Sequence, residues 1–156
     1  MSRIDAHAHR RGGAVVAVAV ITSLMSGCVF QGPVPRAPQG DPIEAARELP
    51  DAPKAVRTGN AAGSCGEFVL DQGESVPVEA VQCMSTALSE MKDAELAWTV
   101  PTVEGDPIVS FAFVTAGSDH VVVHTTNAFD SYGGEQSWTK SSCNNVSAAT
   151  SSTGCS

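Results

Sequence analysis

Basic side chains are nearly absent from the last two-thirds of this 156-residue sequence: from Thr58 onward, Lys92 and Lys140 stand against twelve Asp and Glu residues. A surface so poor in cations cannot neutralise a phosphate backbone, which argues against nucleic acid as a partner. An anionic membrane surface would repel it as well. No Cys-x-x-Cys pair occurs, so neither a zinc ribbon nor a thioredoxin-like redox motif is indicated. A phosphate loop, a dinucleotide fingerprint and a Gly-x-Ser-x-Gly elbow are missing too. These absences leave no catalytic signature. Address and architecture are what the residues disclose first.

The address lies in Ala14–Cys28. Arg3, Arg10 and Arg11, with only Asp5 against them, form a positive stretch ahead of the uncharged apolar run 14–25. A run of this length suits the apolar core of a signal peptide and is too short to cross a bilayer as a helix. Ser26 and Gly27 lead directly into Cys28, and Leu24-Met25-Ser26-Gly27-Cys28 resembles the bacterial lipobox, with Met25 where Leu is more usual. That resemblance implies diacylglyceryl attachment to the Cys28 sulfur and cleavage just before it. Residues 1–27 are therefore expected to be a lipoprotein signal peptide. The mature chain is expected on the extracytoplasmic face of the cell membrane, held there by its lipid.

With Cys28 acylated, Cys65, Cys83, Cys143 and Cys155 remain. Export to an oxidising compartment makes disulfides the default for an even set. Three connectivities are open. Nearest-neighbour pairing, Cys65–Cys83 and Cys143–Cys155, is the one expected, because one link would tie the first strand to a helix and the other would secure the tail.

Residues 28–63 hold six of the nine prolines, and from 28 to 57 four basic and four acidic residues balance. Proline at this density favours an extended, semi-stiff chain, so the segment reads as a flexible linker reaching roughly 100 Å when stretched. A short helix over Ile43–Leu49 fits within it, with Asp41 as cap and Pro42 at the first position.

The folded part is expected over residues 64–145, with 146–156 a Ser/Thr-rich tail. Glu67–Leu70 reads as a strand ended by the turn Asp71–Glu74. Beyond Pro77, residues Ala80, Val81, Met84, Ala87, Leu88 and Met91 recur at helical steps and form one apolar stripe. The period then drops to two. Leu96, Trp98 and Val100 alternate with Glu95, Ala97 and Thr99, the pattern of a strand half-buried against the helix. Strands over Ile108–Thr115, His120–Thr126 and Gln136–Lys140 follow, separated by Gly- and Asp-rich turns. The order β-α-β-β-β-β with short connections predicts an α+β fold: a small antiparallel β-meander with one helix packed on a face.

The string Pro101-Thr102-Val103-Glu104-Gly105-Asp106-Pro107-Ile108, and Asp130–Gly134 ahead of Trp138 and Cys143, resemble a domain of unknown function. That domain is found in small bacterial lipoproteins of Gram-positive lineages. Cys65-Gly66-Glu67-Phe68 and Val76–Ala80 with Cys83 resemble its actinobacterial branch. The resemblance spans Cys65 to Cys143 and implies an exported α+β domain without implying an activity.

His120 and His124 fall on one strand face roughly 13 Å apart at about 3.3 Å per residue, too far to share a metal ion. Ser118-Asp119-His120 contains triad residue types, but turn neighbours do not by that fact make a relay. In a meander, alternate connections share one end of the sheet. Glu104, Asp106, Asn127 and Asp130 are therefore expected near one another. Such hard oxygens could bind a divalent cation such as calcium, or a cationic ligand. Plain turn chemistry explains the same residues and is the preferred reading. No other cofactor is expected. Two function classes stand: a non-catalytic module binding an envelope ligand or protein, and a small exported enzyme using carboxylates.

Overall fold

In the computed structural model, residues 38–59, 63–151 and 155–156 are described. The signal peptide, Cys28 and the start of the linker lie outside them. Asp41 opens the described fold by accepting the Ile43 N–H at 2.8 Å, with Pro42 in the first turn of helix α1 (Pro42–Arg47). This is the cap expected for that helix. A second short helix, α2 (Lys54–Thr58), follows.

These two helices correct the linker reading over the described part of residues 28–63. Ile43, Ala46, Ala52 and Val56 are buried and pack in one cluster with Ala97, Val109, Phe111, Phe113 and Phe129. The prolines start and separate the helices; they do not keep the segment extended.

The sheet has five strands in the order β1 (Ser64–Val69), β2 (Ala94–Pro101), β3 (Pro107–Val114), β4 (Val121–Thr126) and β5 (Trp138–Cys143). The fold is α+β with the expected β-α-β-β-β-β core. One feature of the expected meander is corrected: β1 runs parallel to β2, while the other three pairings are antiparallel. The helix between them, α3 (Val78–Ser89), is the crossover that a parallel pair requires.

A second correction concerns the faces. Ala80 and Met84 of α3 pack with Leu96, Trp98, Ala112, Val114, Val121 and Val123 on one side of the sheet, while α1 and α2 cover the other. Strand β2 is thus buried on both faces, and Glu95, Ala97 and Thr99 are as enclosed as Leu96 and Trp98. Glu95 is accommodated because Arg47 reaches it at 2.7 Å. The same guanidinium pairs with Glu67, donates to the Val56 carbonyl and lies 4.7 Å from the Phe111 ring centre. Arg47 thereby fastens α1 to β1, β2 and β3 at one point.

Met91 departs from the apolar stripe assigned to it. It has φ 52° and is exposed, sitting one residue past the C-cap of α3. The Met91 N–H bonds the Leu88 carbonyl and the Lys92 N–H bonds that of Ala87. This is a Schellman termination with methionine in the left-handed position usually taken by glycine.

The tail is ordered where it is described. Helix α4 (Val146–Ser151) buries Val146 and Ala149, and Asn145 accepts the Ala148 N–H at 2.8 Å as its cap. Cys65–Cys83 and Cys143–Cys155 are the two disulfides, joining β1 to α3 and β5 to the chain end. Ser156 completes the edge of β5 through paired backbone hydrogen bonds with Ser142. Among the described residues, no helix is long and apolar enough to cross a membrane.

Candidate functional site

One end of the sheet collects the loop after β1 (residues 70–77), the β2–β3 turn (102–106) and the β4–β5 loop (127–137), together with residues 38–42. Thr99 holds the start of the first loop by accepting the Leu70 N–H at 3.1 Å. Pro101 and Pro107 pair across the hairpin mouth. The turn between them closes with Thr102 N–H to the Asp106 carbonyl at 2.8 Å, and Gly105 at φ 92° takes the left-handed position.

Two of the expected carboxylates are brought together here through backbone. The Ser131 N–H donates to Asp106 at 2.7 Å, linking the hairpin turn to the long loop. Asp130 accepts the N–H groups of Tyr132 and Gly133 at 3.0 and 2.7 Å. A side chain on Gly133 would place its Cβ against the Asp130 carboxylate and force that group to shift from its bonds to the loop backbone. Asn127 brackets the loop, accepting the Ser137 N–H and donating to the Glu135 carbonyl. Glu104 sits exposed at the turn tip. Among the described residues, no group of three or more His, Cys, Asp or Glu side chains is arranged to hold a metal ion. Asp106, Asn127 and Asp130 serve as hydrogen-bonding partners of loop backbone.

Two clefts flank this end. The first, about 440 Å³, is lined by Pro38, Pro42, Val69, Asp71, Thr99 and Pro107 among others. The second, about 410 Å³, lies against Trp98, Val100, Ile108, Ser110, Thr125 and Thr150. Pro101 belongs to both, so the clefts meet around the end of β2 from opposite faces of the sheet. Sequence reasoning missed them because their walls combine strand ends with α1 and α4, segments read as linker and tail.

At the opposite end, Ser118 Oγ lies 3.1 Å from His120 Nδ1, and Asp119 Oδ1 lies 3.2 Å from the same nitrogen. A nucleophilic relay needs Asp on one ring nitrogen and Ser on the other. Both partners on Nδ1 rule out that geometry. His120 holds the exposed Asp119 carboxyl below its usual range.

His124 stands half-buried on the α1 side, edge-on to the Phe113 ring and opposite Lys140 on β5. Burial first, and the Lys140 charge second, lower its pKa below the ordinary 6.5. The unfolded chain then binds a proton more readily than the native one. Stability should fall as pH drops below about 6.5 and level off below the native value. Chemical denaturation between pH 7.5 and 4.5 checks this: His124→Gln should flatten the slope, and an unchanged slope would assign it to other groups.

Compared with protein-family models, with curated proteins and with solved structures, the chain matches none.

Proposed function

We propose that this chain is a lipid-anchored, extracytoplasmic binding module whose working surface is the loop end of the sheet. The lipobox-like Leu24–Cys28 carries the anchoring half of this reading. Cysteine usage supports it: two disulfides take four of the five cysteines and leave Cys28 for acylation.

The choice of a module over a carboxylate enzyme rests on what lines the clefts. Among the described residues, the first is lined by one acidic side chain, Asp71, and the second by none. Hydrolysis by paired carboxyl groups needs two of them across a reacting bond. Asp106 and Asp130 are engaged with loop backbone instead.

Cys28→Ala tests the anchor. Wild type should take up a clickable palmitate label and sediment with membranes. The variant should lose the label and be released or remain unprocessed. An unlabelled wild-type chain whose Cys28 still reacts with maleimide would overturn the lipoprotein reading.

A further inference from the structure

Apolar side chains are left open at the loop end. Val69, Val100 and Val103 are 60, 47 and 83% exposed; Val69 lines the first cleft, Val100 the second, and Val103 sits in the turn that follows β2 beside Pro101. Exposed valines on both sides of a strand end, beside clefts that meet there, are the surface expected where another molecule wraps around that end.

The charge around them has one sign. Residues 38–42, 70–77, 101–107 and 127–137 contain seven Asp and Glu side chains and no Lys, Arg or His. Among the described residues, the carboxylates of Asp71, Glu104 and Glu135 have no hydrogen-bond or ion-pair partner. The described cations fall in other segments. Arg47 is held by Glu67 and Glu95, and Lys54 and Arg57 lie on α2. Lys92 pairs with Glu90 just before the far end of β2, and Lys140 stands in β5 opposite His124.

That sign selects the occupant. A second copy docking end to end would set like charges against each other, and an anionic lipid or nucleic acid meets the same repulsion. A small neutral ligand calls for an enclosed pocket. These clefts, with half-exposed valines in their walls, are open and wrap around a strand end. Two apolar clefts meeting at a strand end and rimmed by unpaired carboxylates fit a polypeptide segment carrying basic side chains between apolar ones.

We infer that the loop end docks an extended cationic segment of a partner polypeptide. Its apolar residues lie on Val69, Val100 and Val103, and its Lys or Arg side chains meet Asp71 and Glu104. This rests on the binding-module reading and adds the partner's chemistry to it.

The full-length acylated protein in non-ionic detergent provides the test, with fluorescein-labelled Lys-Pro-Val-Arg-Pro-Val-Lys-Pro-Arg as probe. A second probe replaces every basic residue with Glu. The cationic peptide should bind saturably and the acidic one should not. Asp71→Lys with Glu104→Lys should weaken binding at least about tenfold. Raising salt from about 0.05 to 0.5 M should weaken it further, as screening shortens the reach of the charges. Glu48→Lys with Glu90→Lys makes the same net-charge change away from the loop end and should leave affinity within about twofold. Equal binding of the two peptides, equal loss in the two charge-reversed pairs, or no binding at about 1 mM would overturn the inference. A benzophenone crosslinker at Val103, compared with one at Ser118 in intact cells, separates this from the underlying reading. Crosslinks at Val103 with a negative peptide result would refute the cationic partner alone. No crosslink at either position would reject the module itself.

Discussion

Phe111→Ala should lower the stability of the fold by about 3–5 kcal/mol, the usual cost of emptying a fully enclosed aromatic site. Phe111 is 0% exposed in the middle of β3, with the Arg47 guanidinium 4.7 Å and the Trp138 ring centre 6.1 Å from it. Its loss would leave a cavity and remove the ring beneath the cation that fastens α1. Ile43→Ala, in the same cluster from the helix side, should cost about 2–5 kcal/mol. The double variant should lose less than the sum, because the two residues share one packed interface. Urea unfolding measures all three. A native-like midpoint for Ile43→Ala would mean that α1 and α2 are not part of the cooperative fold.

The second large effect is expected at the disulfides. Cys65–Cys83 spans 18 residues and Cys143–Cys155 spans 12, so each restricts the unfolded chain by about 3 kcal/mol on loop-closure entropy. Replacing either pair with serine should lower the melting temperature by roughly 12–24 °C in a domain of about 100 residues. Together the losses reach about 6 kcal/mol, comparable to the whole stability of many small domains. The four-serine variant should be largely unfolded at 37 °C. A melting temperature unchanged by reductant, with free thiols verified, would contradict this role.

The sequence made the strands legible because period-two alternation is local: Leu96, Trp98 and Val100 declare a face whatever packs on it. Both disulfide pairs were open to a nearest-neighbour expectation for a similar reason, since each closes a short loop. The second layer was harder to see. Helices of six and five residues span too few turns to show a stripe, and six prolines dominated the composition of their segment. A signal was nevertheless present in β3, whose Ile108-Val109-Ser110-Phe111-Ala112-Phe113-Val114 is apolar at alternate positions on both faces. A strand of that kind needs cover on two sides. Buried Glu95 likewise required a cation, which Arg47 supplies from within the presumed linker. The parallel pairing of β1 could also have been read from order, because a helix stood between two strands. At the candidate site, topology correctly placed the 102–106 turn beside the 127–137 loop, as the bond from Ser131 to Asp106 shows. Which atoms the carboxylates engage depended on loop dihedrals that no residue pattern encodes.

The docking of α1 and α2 would also shorten the reach of a lipid tether at Cys28. With α1 packed from Pro42 onward, thirteen residues lie between it and Cys28. Fourteen Cα steps span at most about 50 Å when fully drawn out, against the roughly 100 Å that a linker running to residue 63 would have provided. An acylated Cys28 would then hold the domain within a thin layer over the bilayer. Effective concentration towards a partner in that layer is governed by tether length, and for short flexible tethers it is millimolar. Inserting a Gly/Ser segment after Gln31 should therefore dilute the domain in a way that no substitution on its surface can imitate. A weak contact at the loop end would be sufficient at the native length and would fade as the leash is let out.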